Sequence, residues 1–180
     1  EELRRQHGST ASNWAVFDGW LAGQPVPHAH VHVVPRKPKD LENNDEVYSA
    51  LEHWTPSPTK DAETPPAIEW PADETRKKRT SDEMALEAQG YRMAMAGHGS
   101  FPEEQAFASH PIPQSHLFYA SESGLTLALV NLKPLVPGHV LVVPRRSVPR
   151  IADLSEEEFD DLFRSVRLVQ AALEKAHGTE

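Results

Sequence analysis

The chain contains no cysteine, which removes disulfides, thiolate catalysis and cysteine-ligated zinc together. No apolar run approaches the roughly 20 residues that a membrane-spanning helix needs. Positive charge is scarce: 18 Lys and Arg stand against 27 Asp and Glu, a net charge of −9. That balance argues against a nucleic-acid binder, which needs a basic face. No signal-peptide pattern is visible at Glu1-Glu2-Leu3-Arg4, and the chain does not open on methionine. A soluble protein of the cytoplasm or nucleus, or a piece of one, is the expectation. Its 180 residues suffice for one domain with a real core.

What is present falls into segments. Residues 1–53 hold a plausible strand at Asn13–Asp18, turns at Asp18-Gly19 and Gly23-Gln24-Pro25, a histidine-rich stretch, and a short helix from Asn44 to His53 with Val47 and Leu51 on one side. Residues 54–79 mix five prolines with charged and small residues, without periodicity, and read as a mobile loop. A helix is predicted over 80–96, with Met84, Leu86, Tyr91 and Met95 as its apolar content. Residues 97–106 begin with Gly97-His98-Gly99-Ser100, which reads as a flexible joint or a cloning remnant. In residues 107–180, His116–Tyr119 and Leu125–Val130 read as strands around Ser121-Glu122-Ser123-Gly124. His139–Pro144 is nearly all apolar and is therefore expected at the centre of a sheet. Ser155 and Glu158 form a capping box, followed by Phe159, Leu162, Phe163, Val166, Val169 and Leu173 at helical spacing.

The densest chemistry lies in Pro27-His28-Ala29-His30-Val31-His32-Val33-Val34-Pro35. Alternation at period two predicts a strand. His28, His30 and His32 would then share one face, and Ala29, Val31 and Val33 would turn into the packing. Three uses compete for such a row. Imidazoles two apart can share zinc, with His139 or Asp18 as conceivable further ligands. They can be hydrogen-bonded core residues. Or a neutral imidazole can attack a phosphorus or carbonyl centre, with its neighbours fixing the tautomer and stabilising charge.

His28-Ala29-His30-Val31-His32-Val33-Val34 resembles the histidine triad pattern, in which three histidines alternate with apolar residues. The likeness extends to Ala22-Gly23-Gln24, to Pro35-Arg36-Lys37 and to the whole of Ala128–Val142. Together these resemble the fragile histidine triad branch, the dinucleoside polyphosphate hydrolases. The resemblance implies an α+β fold: an antiparallel sheet of about five strands with the long helix on one face, in a single domain over 1–180. It implies that His30 attacks the α-phosphorus of a substrate such as diadenosine triphosphate, forming a nucleotidyl-histidine, releasing ADP and then, with water, AMP. His32 would contact the α-phosphate and His28 would assist the leaving group. Asn131 would bind the ribose, Gly23, Gln24 and Val26 would line the phosphate channel, and His139 would support the triad. His110 matches a substrate contact more loosely. No metal site and no resident cofactor are implied, although a divalent cation (Mg2+ or Mn2+) would enter with the substrate. A homodimer is implied, and neither nucleic acid nor membrane is a partner. The other expectations kept open are a nucleotide-binding signalling module with incidental turnover, and a phosphoramidate hydrolase or nucleotidyltransferase of another branch.

Two departures stand out. In the family the Asn131/His139 segment and the long helix precede the histidine row, whereas here they follow it. A circular permutation gives this order, with 97–106 joining the original ends; a deliberately reordered chain, or a domain assembled from halves of neighbouring chains, would give it too. The family also carries glutamine just before the Asp18-Gly19 turn, where this chain has Phe17, which cannot donate a hydrogen bond to phosphate. Tyr48 resembles a tyrosine that relatives carry after the triad strand, but reads better as an ordinary helix-surface residue.

Overall fold

The computed structural model describes residues 11–17, 22–24, 28, 30–52, 75–95, 99–107 and 110–177. The chain forms two compact units, Glu1–Glu69 and Trp70–Glu180, each described by itself. The proline-rich stretch as far as residue 74, together with Asp18, Gly19, Val26, Gly97 and His98, lies outside the described residues.

In the first unit β1 (Ala11–Ala15) pairs antiparallel with β2 (His32–Arg36), in a register that sets Trp14 against Val33 and Ala15 against His32. Arg36 pins the end of this ribbon. Its guanidinium meets Asn13 Oδ1 at 2.8 Å across the ribbon and both carboxylate oxygens of Asp40 at 2.9 Å, a forked geometry that suits a planar donor. Helix α1 (Glu46–Glu52) follows, with Val47 and Leu51 buried. Tyr48 is exposed, as an ordinary surface residue would be.

The ribbon corrects one expectation. β2 begins at His32, so His28 and His30 precede the strand rather than sharing its pleat. Val31 and Val33 are about half exposed, at 52% and 46%, instead of buried. A two-stranded ribbon supplies no second layer to cover its apolar face, so alternation alone does not bury that face.

In the second unit α2 (Ser81–Ala94) is capped by Thr80. Thr80 accepts from the Glu83 N–H, and Glu83 accepts in return from the Thr80 N–H. Met84, Ala88 and Tyr91 are buried, at helical spacing, while Leu86 is exposed on the far side. A two-residue ladder, β3 (Ala106–Phe107) and β4 (His110–Pro111), comes next. The main sheet is β5 (Leu117–Ala120), β6 (Thr126–Val130) and β7 (Val140–Pro144), in the order β5-β6-β7 and antiparallel throughout. Among the described residues β6, not β7, is central. Every residue of β6 is buried, whereas β7 is mostly half-buried. Both segments are mostly apolar, so their composition could not rank them.

Helix α3 (Glu156–His177) packs with α2 on one face of this sheet, around Tyr91, Phe118, Tyr119, Ala128, Val130 and Val169. A register shift between Leu117 and Tyr119 lets Phe118 and Tyr119 join the same cluster. The other face holds Leu117, Leu127, Leu129 and Val143, covered by Phe101 and Ile112. The capping box at α3 forms as the sequence predicts: Glu158 N–H donates to Ser155 Oγ at 3.2 Å, and Ser155 N–H to Glu158 Oε2 at 2.8 Å. Arg146 also grips the Glu158 carboxylate, and with Ser155 holds its pKa down to about 2. Gly99, within the expected joint, lies against the main sheet. Its N–H donates to the Ala120 carbonyl at 2.7 Å, and a Cβ there would collide with the Ser121 carbonyl oxygen. The glycine lets backbone lie against backbone.

Candidate active site

The site residues expected from the sequence fall in both units. In the first, His30 Nδ1 lies 2.6 Å from the His28 carbonyl oxygen, and Gln24 Nε2 donates to the same oxygen at 3.1 Å. A carbonyl can only accept, so His30 carries its proton on Nδ1 and its lone pair on Nε2. That tautomer is the one a nucleophilic imidazole needs. The rings of His30 and His32 meet edge to face, with centroids 5.0 Å apart. Burial, and then the neighbouring His30, hold the His32 pKa below its ordinary value, so His32 favours the neutral form. Gly23, at φ +82°, adopts a conformation open to glycine and lies beside Phe17. The Phe17 ring meets His32 edge-on, with centroids 5.6 Å apart. Phe17 thus stands within the histidine cluster and offers it a hydrophobic edge instead of a donor. The His28 side chain is exposed, and Val26 lies outside the described residues.

In the second unit Asn131 leaves the end of β6, and its Oδ1 accepts from the Lys133 N–H at 2.9 Å, closing a side-chain turn. The loop returns through Gly138, at φ +85°, to His139 at the entry to β7. The Leu135 N–H lies 3.1 Å from His139 Nδ1, and Asn131 Nδ2 lies 3.2 Å from His139 Nε2. A neutral imidazole accepts at one nitrogen only, so the ring tautomer decides which of the two donors it takes. Burial, followed by the charges of Arg76 and Arg79, lowers the His139 pKa and keeps this ring neutral. His110 lies exposed on β4.

Sequence reasoning missed two residues here. Arg79 directs Nε at the Asn131 carbonyl oxygen at 2.9 Å, Nη2 also bonds that oxygen, and the Arg79 N–H donates to the Leu132 carbonyl at 3.0 Å. Arg76 Nη1 donates to the Lys133 carbonyl at 2.8 Å. Both sit at the end of the proline-rich stretch, and only the run Arg76-Lys77-Lys78-Arg79 in an acidic chain signals them. Among the described residues, no group of three or more His, Asp or Glu side chains could hold a metal ion, and no helix is long and apolar enough to cross a membrane.

The HIT domain family model matches residues 113–180, the stretch that carries the Asn131/His139 loop and α3. Similar proteins include the bis(5'-nucleosyl)-tetraphosphatase [asymmetrical] of Schizosaccharomyces pombe, 50% identical over 74 residues, which are 41% of this chain and 39% of that protein. The bis(5'-adenosyl)-triphosphatase of Dictyostelium discoideum is 52% identical over 64 residues, 36% of this chain and 42% of that protein. The nitrilase and fragile histidine triad fusion protein NitFhit of Caenorhabditis elegans is 49% identical over 71 residues, 39% of this chain and 16% of that protein. The crystal structure of that NitFhit protein is similar with a TM-score of 0.43 and 43% identity, covering 47% of this chain and 20% of the other. The chain thus spans less than half the length of each of these relatives.

Proposed function

We propose that the chain hydrolyses dinucleoside polyphosphates, cleaving diadenosine triphosphate to AMP and ADP through a nucleotidyl-histidine on His30. The observation that carries this reading is the 2.6 Å contact between His30 Nδ1 and the His28 carbonyl, because it dictates which nitrogen holds the lone pair. His30 Nε2 attacks the α-phosphorus, the bond from that phosphorus to the bridging oxygen breaks, and ADP leaves with the bond's electrons. Water then attacks the same phosphorus, AMP departs, and His30 recovers its neutral form. His32, kept neutral by burial, donates to the α-phosphate, and His28 assists departure of ADP. Gly23, Gln24 and Val26 line the phosphate channel. Asn131, backed by His139, takes a ribose hydroxyl, and His110 is a further substrate contact. A divalent cation, Mg2+ or Mn2+, accompanies the polyphosphate. In this reading the chain is one HIT domain in permuted order, with 97–106 joining the original ends, and it works as a homodimer. The names of two relatives, a bis(5'-nucleosyl)-tetraphosphatase and a bis(5'-adenosyl)-triphosphatase, support the substrate class.

A second reading rests on Phe17. With a phenyl edge against His32 where a hydrogen-bond donor would hold phosphate, the chain would bind nucleotide and turn it over slowly, as a signalling module does. One assay separates the two: release of AMP from diadenosine triphosphate by the wild-type chain and by His30→Asn, alongside binding of the substrate. The hydrolase reading expects the substitution to abolish release and spare binding. Equal release by both proteins would refute it.

A further inference from the structure

A continuous line of side-chain contacts begins and ends on the Asn131–His139 loop. Arg79 bonds the Asn131 carbonyl through Nε and Nη2, and its Nη1 pairs with the Glu87 carboxylate. Both side chains are largely buried, at 15% and 21% exposure, so removing either partner leaves a charge poorly hydrated and uncompensated. Glu87 and Tyr91 are four apart on α2 and share a face, and Tyr91 Oη donates to Glu87 Oε1 at 3.0 Å. Burial and the Glu87 charge raise the Tyr91 pKa, so the phenol keeps its proton for that bond. Its oxygen then accepts from His177 Nε2 at 2.9 Å, which assigns the His177 proton. The His177 ring lies against Gly138, where a Cβ would come within 3.0 Å of Nε2. The line therefore runs from Asn131 through Arg79, Glu87, Tyr91 and His177 to Gly138, the neighbour of His139. The loop is thus held at the Asn131 carbonyl by Arg79 and contacted at Gly138 by the His177 ring of α3.

We propose that Arg79, oriented by Glu87 and braced through Tyr91 and His177, is a positioning residue that sets the Asn131–His139 loop for its ligand. The consequence for nucleotide binding rests on the functional reading above; the positioning itself does not. A bond from a charged donor to a backbone carbonyl in a half-buried loop end is strong enough to decide local opening without unfolding the sheet. Lysine cannot replace it in full, since one ammonium lacks the fork that reaches the Asn131 carbonyl and Glu87 together.

The test is amide hydrogen exchange followed by mass spectrometry on the full chain, for wild type, Arg79→Gln, Arg79→Lys and Tyr91→Phe, with AMP affinity measured in parallel. The expected result is exchange about tenfold faster at 132–139 in Arg79→Gln and Tyr91→Phe, with β5 and β6 amides at wild-type rates and partial recovery in Arg79→Lys. AMP affinity falls in the same order. Unchanged exchange at 132–139 in both variants would overturn the proposal. So would a rise shared equally by β5 and β6, the mark of a general loss of stability. A loop that responds as expected in a chain that binds no AMP upholds the positioning role and overturns the nucleotide reading instead.

Discussion

The carbonyl oxygen of His28 accepts from His30 Nδ1 at 2.6 Å, so a backbone atom, not a side chain, sets the tautomer of the proposed nucleophile. The arrangement differs from a triad of imidazoles stacked on one strand face. His28 contributes through its main chain, Gln24 reinforces the same oxygen, and His32 alone belongs to the strand. Gln24→Ala removes the reinforcing bond and leaves the 2.6 Å contact. Turnover is expected to fall modestly, by about two- to tenfold, for a net hydrogen bond of about 0.5–1.5 kcal/mol. Steady-state hydrolysis of diadenosine triphosphate reads this directly, and a loss as complete as that of His30→Asn would show that Gln24 has a larger role.

Phe17 meets the His32 ring edge-on with a 5.6 Å centroid separation, and its side chain carries no hydrogen-bond donor. Phe17→Gln is expected to raise turnover or change the preferred leaving group, with substrates of three and four phosphates compared side by side. Identical rates for both substrates in variant and wild type would show that position 17 does not act on the reaction.

Gly99 and Gly90 make opposite predictions for the same substitution. At Gly99 a methyl group would meet the Ser121 carbonyl, so Gly99→Ala is expected to destabilise by about 1–3 kcal/mol. At Gly90, inside α2, a Cβ meets nothing within 4 Å, and Gly90→Ala is expected to stabilise by about 0.5–1 kcal/mol. Chemical denaturation of the two variants checks both signs.

Much of the second unit was legible in the sequence, because its signals are local and repeated. Ser155 and Glu158 announce the start of α3, and Leu162 and Val169 keep its period. The turn at Ser121–Gly124 separates two strands that pair as predicted. What was not legible depended on partners distant in the chain. Alternation around Val31 and Val33 could not reveal that both stay about half exposed. The apolar run of β7 could not show that β6 takes the central place. Arg79 escaped notice because its partner is a main-chain oxygen 52 residues away, and a carbonyl leaves no trace in side-chain chemistry. The histidine cluster itself was visible, while the carbonyl contact that orders it was not.

His139 and His32 predict a dependence on pH. Their pKa values are lowered in the folded chain, His139 by burial and then by Arg76 and Arg79, His32 by burial and then by His30. A histidine with a lowered folded pKa binds protons more readily when the chain unfolds. Its destabilising effect is absent above the ordinary imidazole value and grows as pH falls through that value toward the folded one. Melting temperature is expected to drop between about pH 7.5 and pH 5.5, and His139→Asn to remove part of the slope. An unchanged slope in that variant would contradict the account of His139.

The central claim is that His30 becomes covalently nucleotidylated. The direct measurement is rapid acid quenching of the wild-type chain with diadenosine triphosphate and Mg2+, followed by peptide-level mass spectrometry under conditions that preserve phosphoramidates. The account predicts an adenylyl group on His30 that appears before AMP and is absent from His30→Asn. AMP release with His30 unmodified at every time, or an adenylyl group on another residue, would contradict it.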